Sequence, residues 1–599
     1  MKIEIIKCEK AENCFANARS YVYTLSTELD DNILSQMKSW GELKVRRNFR
    51  RPFFLLALAD GIQAKGVLQD SVVKAGFSHE KWEEQKTRFE TLLKSLELTG
   101  ENLGQTQSVC PVCLEKTDAV RIRYGAKVYL EKTCKEHGFF RTLIWNGKPS
   151  YETFQRQRTF VSPVNPAVNV SRGCPDDCGL CPEHRQRTCC VLMEVTSRCS
   201  LGCPVCFASS GTSETAFPDP SLEDIRHRFQ AMLDCGGPFN IQLSGGEPTE
   251  REDLDEIIRM GKSMGFPFFQ LNTNGLRIGQ EPEYLQNLAK DGLDCVFLQF
   301  DGLRDSTYIT LRGRPFLKEK LDALEACRKA GVGVVLVPVI APGVNNDEIG
   351  KILDFALEHM PTVRGVHFQP VSHFGRCQLN SSETRFTLPD LLREIERQTQ
   401  GRMKTGDFTP GNAENPYCSF SGNFTLQEDG SLRPWKNKES CGCGVPQTSA
   451  AASGSCCQSS TIDAAQTCCT NGSANASHVC CTSDSENASR KAREFVARQW
   501  SLPEQSAVQD ASCGCGIPSG SGSNCCSSSL DIFLERTKKY TLAVSAMAFM
   551  DAWNLDLERL KECYIHVVTG EEKVRLIPFC AYNLTAIDGT TKYRGREKQ

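Results

Sequence analysis

Apolar positions in the middle of the chain follow two patterns that alternate. Short apolar runs at 191–195, 239–243, 268–271, 296–300, 334–339 and 366–369 read as buried strands. Between them, at 222–233, 254–264, 317–330 and 349–359, apolar residues recur every three or four positions, the period of a helix that buries one face. Strands alternating with helices predict a parallel sheet with right-handed crossovers. Six such units predict an open, partial (βα)6 barrel over 191–400, an α/β fold.

The flanks read differently. Residues 1–100 carry a strand pattern at 2–6, a basic apolar stretch at 46–56 and an amphipathic helix at 82–96, which predict a small α+β domain. No role follows for it. Residues 437–529 are rich in Ser, Ala, Gly, Thr and Asn and cannot bury a core. This insert repeats itself: Ser440-Cys441-Gly442-Cys443-Gly444 then Cys456-Cys457, and Ser512-Cys513-Gly514-Cys515-Gly516 then Cys525-Cys526. One helix-like piece interrupts it at 489–500.

A length of 599 residues means several domains. The net charge of −3 gives no global case for nucleic-acid binding. No apolar run approaches the roughly 18 residues of a membrane helix, and the N-terminus lacks a signal-peptide core, so a cytoplasmic protein that is not an integral membrane protein is expected. The 32 cysteines change the picture most. They fall in close-set clusters, which in a large intracellular chain point to metal chemistry.

The central cluster is Cys199-Ser200-Leu201-Gly202-Cys203-Pro204-Val205-Cys206-Phe207, directly after the first barrel strand. Three thiolates on one cubane iron–sulfur cluster leave one iron open to a substrate or cofactor, where electron-transfer clusters use four. The later strand ends carry polar groups at the same rim: Ser244-Gly245-Gly246-Glu247, then Asn272-Thr273-Asn274, then Asp301. Two glycines allow close backbone approach to a ligand, and Glu247 adds an acceptor for an ammonium. Arg312 and Arg314 read as partners for an anion or as a surface pair, and Asn345 and Asn346 as contacts to a ribose or as turn residues.

Two further clusters precede the barrel. Cys110-Pro111-Val112-Cys113 faces Cys134-Lys135-Glu136-His137, the ligand pattern of a tetrahedral zinc or rubredoxin-like mononuclear iron, in a ribbon spanning 101–160. Cys174, Cys178 and Cys181 repeat the C-x3-C-x2-C spacing, and Cys189 or the adjacent Cys190 supplies a fourth thiolate for an auxiliary [4Fe–4S] cluster on segment 161–190.

The triplet, the Gly-Gly-Glu turn and the six units together resemble the radical S-adenosylmethionine (SAM) superfamily. The resemblance implies that the open iron chelates SAM, that the Gly-Gly-Glu turn meets its methionine amino group, and that Asn272, Asn274 and Asp301 contact SAM or substrate. It implies reductive cleavage of SAM to a 5′-deoxyadenosyl radical, with ferredoxin or flavodoxin as electron donor. Within the superfamily, the ribbon motif, the Cys174 cluster and Leu576-Ile577-Pro578-Phe579-Cys580 resemble the tetraether lipid synthase-like branch. That branch implies a second auxiliary cluster, nominated on Cys418, Cys563 and Cys580 with Cys377 as a weaker fourth, in a C-terminal domain of 401–436 and 530–599. The expected reaction joins carbon to carbon or heteroatom, or transfers a methyl group, on a small-molecule or lipid substrate. The Cys-rich insert departs from the branch, and its paired thiols are expected to capture a thiophilic ion. The alternative is a metal-binding or iron–sulfur trafficking protein on the same scaffold.

Overall fold

The computed structural model describes residues 2–11, 18–156, 160–211, 218–379, 385–411, 413–435, 493–494, 497–502, 529–570 and 574–595. The predicted ion capture by the paired cysteines of the insert lies outside these residues.

The N-terminal domain is a six-stranded antiparallel sheet covered by the helices Asp31–Met37 and Trp82–Ser95. Tyr23, Phe54, Phe77 and Phe89 fill its core. The ribbon follows as a four-stranded antiparallel meander, Glu101–Val109, Lys116–Tyr124, Lys127–Cys134 and Gly138–Asn146.

The barrel has the expected order. Strands Cys190–Thr196, Asn240–Gly245, Phe269–Thr273, Cys295–Gln299, Gly333–Val337 and Val363–Pro370 pair in parallel, each with its next neighbour. Helices such as Leu222–Asp234 and Leu254–Ser263 cover the outer face. Ser221 starts the first of these with a capping box to Asp224, which satisfies backbone donors left free in the first turn. The core lies between sheet and helices, around Val191, Ile241, Leu271, Leu298 and Leu336.

The C-terminal segment, expected as a separate cluster domain, is built into the same sheet. Thr541–Met547 pairs in parallel with Val363–Pro370 at one edge. Ile565–Thr569 pairs in parallel with Cys190–Thr196 at the other. Antiparallel strands Ser419–Leu426 and Arg575–Pro578 then cover these two additions. Sequence periodicity could not reveal this, because the two edge strands lie far along the chain from the strands they pair with. Among the described residues no helix is long and apolar enough to cross a membrane.

Candidate metal and SAM centre

The first barrel strand ends at Thr196, and the loop beyond it carries Cys199 and Cys203 at the C-terminal rim of the sheet. Cys206 closes the loop on a two-residue strand that pairs with Arg376–Cys377. The three thiols lie within electrostatic reach of one another, and burial pushes Cys199 up to about 12. They share a small apolar cluster with Leu201, Tyr308 and Phe316. Arg376, which the sequence did not single out, fixes the loop by donating to the carbonyls of Cys203 at 2.6 Å and Ser210 at 2.7 Å. Three converging soft donors on a rim loop fit a cluster with one open iron.

The Gly-Gly-Glu turn lies beside this loop. Gly245 has φ +124° and a Cβ there would lie 2.1 Å from the Thr196 carbonyl oxygen. A Cβ at Gly246 would lie 2.1 Å from the Arg198 carbonyl oxygen. The two glycines therefore let the second strand end lie against the base of the cysteine loop, and the amides of Gly246 and Glu247 donate to Thr196 and Arg198 at 2.8 Å.

Glu247 makes bonds within the chain that the sequence did not suggest. Its buried carboxylate accepts from Thr249 Oγ1 and Thr273 Oγ1 at 2.7 Å and from the Asn274 amide at 2.7 Å. It braces the second strand end against the third, and burial holds its carboxyl above the usual range. Asn274 adds to this brace, with Oδ1 accepting from the Leu276 amide at 2.9 Å. Asn272 sits lower, half-buried, and accepts from Gln270 Nε2 at 2.6 Å. Ser244, near the end of the second strand, is buried.

Asp301 is fully buried and forms a bidentate pair with Arg312, at 2.7 and 2.8 Å. Arg312 also donates to the Val205 carbonyl at 2.8 Å. The pair therefore ties the fourth strand end to the cysteine loop, and Arg312 is not the surface arginine that one reading allowed. Arg314 lies over the Phe316 ring, 4.4 Å from its centroid. Asn345 donates to the carbonyls of Asp301 and Val339, and Asn346 accepts from the Gly343 amide. Both asparagines hold local backbone. Lys320 was missed. It is fully buried, donates to the Asn274 carbonyl, and burial brings it down to about 8. Its signal was a lysine on the core face of a helix, in line with Leu317, Leu324 and Cys327.

The ribbon brings its four expected ligands together. The donor atoms of Cys110, Cys113, Cys134 and His137 all lie within 4.8 Å of one another. His137 Nδ1 is 3.6 Å from Cys110 Sγ and 3.5 Å from Cys134 Sγ. The Glu136 backbone amide, then the His137 side chain, bring the Cys134 thiol down to about 6. Three soft donors and one imidazole in this arrangement suit tetrahedral zinc.

The remaining cysteines divide in an unexpected way. Cys174 lies within hydrogen-bonding reach of Cys178 and Cys181. Cys189, one of the two expected fourth donors, lies in electrostatic reach of Arg493 and Glu414, and its amide donates to the Tyr564 carbonyl at 2.9 Å. Cys190, the other, lies in electrostatic reach of Cys189 and Cys563. Cys563 and Cys580 both lie in electrostatic reach of Cys418, which accepts from Arg559 at 3.2 Å. Cys377 sits apart, opposite Val205. Sequence spacing placed Cys189 with its chain neighbours, whereas the start of the first strand turns it toward the C-terminal segment.

Comparison with known proteins agrees with this geometry. Residues 193–356 match the radical SAM superfamily, and residues 102–146 match the HMPTM N-terminal zinc ribbon domain. A 7,8-dihydro-6-hydroxymethylpterin dimethyltransferase of Methanocaldococcus jannaschii is 32% identical over 513 residues, 80% of this chain and 93% of the relative. A GTP 3′,8-cyclase of Streptomyces coelicolor is 29% identical over 262 residues, 41% of this chain and 76% of the relative. The crystal structure of Streptococcus suis SuiB bound to precursor peptide SuiA covers 36% of this chain and 46% of its own, at 17% identity and TM-score 0.31. The matched superfamily and the two enzyme relatives speak to the superfamily and do not single out the tetraether lipid synthase-like branch. With similarity running through nearly the whole of an enzyme relative, the chain belongs to the radical SAM superfamily.

Proposed function

We propose that this radical SAM enzyme transfers methyl groups to carbon on a small heterocycle of the pterin type. The observation that carries the reading is the similarity over 513 residues to a dihydropterin dimethyltransferase, which leaves only a small part of that relative unmatched. A trafficking role has nothing comparable behind it.

In this reading Cys199, Cys203 and Cys206 hold a [4Fe–4S] cluster whose open iron takes SAM. Bound there and reduced, the pair supplies a 5′-deoxyadenosyl radical. The chain's own residues do the positioning. Gly245 and Gly246 keep the rim free of side chains beside the cysteine loop. Glu247, Thr273 and Asn274 lock two strand ends into one surface. The Asp301–Arg312 pair holds the cysteine loop to the fourth strand. Lys320 adds a cation beneath the rim that suits a carboxylate, such as that of SAM. The ribbon holds zinc on Cys110, Cys113, Cys134 and His137. The Cys174–Cys178–Cys181 group and the Cys418–Cys563–Cys580 group hold auxiliary clusters, and ferredoxin or flavodoxin supplies electrons.

The test is anaerobic reconstitution followed by incubation with SAM, dithionite and 7,8-dihydro-6-hydroxymethylpterin. The expected products are 5′-deoxyadenosine and methionine from one SAM, S-adenosylhomocysteine from a second SAM that gives up its methyl group, and a pterin heavier by one or two methyl groups, with dithionite supplying the electrons; 5′-deoxyadenosine and the methylated pterin are both lost in Cys203→Ala. Formation of 5′-deoxyadenosine with no pterin product under any reductant would reject the substrate class and leave the superfamily chemistry standing.

A further inference from the structure

Two buried arginines away from the cysteine loop use only part of their donor set. Arg385, its side chain 7% exposed, donates from Nη2 to both oxygens of Asp551, at 2.8 and 2.9 Å. Arg559, 8% exposed, donates from Nη2 to the Tyr417 carbonyl at 2.9 Å and to Cys418 Sγ at 3.2 Å. The Nε of each is enclosed and unpartnered. The Nη1 of each makes no hydrogen bond among the described residues and is not enclosed. Arg559 also has no carboxylate paired with it among the described residues, since Asp556, in electrostatic reach, is held by Arg121. A buried guanidinium with donors to spare is costly until a carboxylate or phosphate completes it.

Both arginines line one cavity of about 30 Å³. A water takes roughly 10–15 Å³ on this measure, so the space suits about two or three oxygens of one oxyanion. The cavity lies outside the barrel interior, where the ribbon, the rim and the C-terminal segment meet. Leu143 of the ribbon, Ser372 just past the strand Val363–Pro370, and Asn554 form part of its wall. Asn554 Oδ1 accepts from the Asp551 amide at 2.8 Å, which leaves its Nδ2 as a further donor. Thr387 and Leu388, also on the wall, start the 11-residue helix Leu388–Gln398, whose N-terminal end favours negative charge. No acidic side chain is among the described residues that line the cavity. Phe549, on the same wall, lies 4.5 Å from the Phe579 ring, and Phe579 lies 5.8 Å from Phe207, the residue after Cys206. The cavity is therefore two ring contacts from the cysteine loop.

We infer that this cavity is an oxyanion site that takes a phosphoryl group through Nη1 of Arg385 and of Arg559. The two guanidinium groups come from different elements, an arrangement suited to a tetrahedral group held from two sides. Two sources offer that group: an ester on the hydroxymethyl arm of the substrate, and free phosphate. The ester form rests on the pterin reading and deepens it, because it makes the substrate an anion. The site itself does not depend on that reading.

The experiment is equilibrium dialysis of the reconstituted full chain against radiolabelled inorganic phosphate, with the melting temperature followed in parallel. It compares the unaltered protein with Arg385→Lys, Arg559→Lys and Ala548→Met. Ala548 lines the cavity, so the methionine fills it while both arginines stay, and it keeps the site testable where a lysine variant does not fold. The unaltered protein should bind about one phosphate and melt higher with it. Each lysine should weaken binding about tenfold or more, because one ammonium replaces a fork that serves two partners. Ala548→Met should lose the phosphate-induced rise in melting temperature. Phosphate binding that is equal in every protein, or absent from the unaltered one, overturns the site and leaves the pterin reading intact. Displacement of the label by the monophosphate ester of 7,8-dihydro-6-hydroxymethylpterin, at about tenfold lower concentration than by free phosphate, supports the site as part of substrate binding. Displacement no better than by free phosphate supports the site with free phosphate as its occupant. Failure of the pterin reading shows separately, in the methylation assay, which no phosphate result enters.

Discussion

At the scale of single residues, backbone contact at the two glycines and burial at one histidine make the sharpest predictions. The contacts a Cβ would make at Gly246 are all with backbone, the Arg198 and Ser197 carbonyls, which have no free rotor to move aside. Gly246→Ala is expected to abolish reductive SAM cleavage while zinc and ribbon stay in place, as read by 5′-deoxyadenosine yield beside zinc content. His367 gives a pH dependence. Its Nδ1 lies 2.9 Å from Ser545 Oγ, and burial brings it down to about 4. Between that value and the ordinary 6.5 the unfolded chain binds a proton that the folded one does not, so stability falls as pH drops through this window and levels off below it. The loss is on the order of 3 kcal/mol. His367→Gln should flatten that part of the curve in denaturant titrations between pH 7 and 4.

At the scale of elements, the ribbon is the clearest case. Two hairpins each supply two ligands, and short antiparallel hairpins alone are marginally stable. A structural metal held by these four donors would supply much of the ribbon's stability. Cys134→Ser is expected to lower zinc to well below one per chain and to make the segment around 102–146 sensitive to protease, while residues 190–370 stay protected. The ribbon was legible because all four ligands lie within one local stretch at spacings that zinc sites use. The barrel was legible for a similar reason, since each strand pairs with the next in sequence and periodicity alone orders them. The second group of cysteines was reached through the branch resemblance and not through spacing, because Cys418, Cys563 and Cys580 meet only through long-range pairing.

At the scale of the whole molecule, the ribbon is fastened to the C-terminal segment by one buried carboxylate. Asp556 accepts from Thr106 Oγ1 at 2.7 Å, pairs with Arg121 at 2.7 Å, and caps the helix Leu557–Leu560. Lys132 adds a donation to the Ala552 carbonyl at 2.7 Å. Removing one partner of a buried pair costs about 3 kcal/mol or more. Asp556→Ala should therefore lower stability by that amount in chemical denaturation, and it should do so without loss of ribbon zinc.

The chain's own pattern determined the elements, the order of the parallel strands, the three-cysteine loop and the grouping of the four ribbon donors, because each of these is written in residues close together in sequence. Tertiary structure alone decided that Glu247 and Asp301 serve as braces, that Cys189 turns from its neighbours toward Glu414, and that a tryptophan from a low-complexity insert lies at the base of the barrel. Those outcomes depend on which strand edges and which buried partners meet across hundreds of residues, and a periodic pattern of apolar positions holds no information about that.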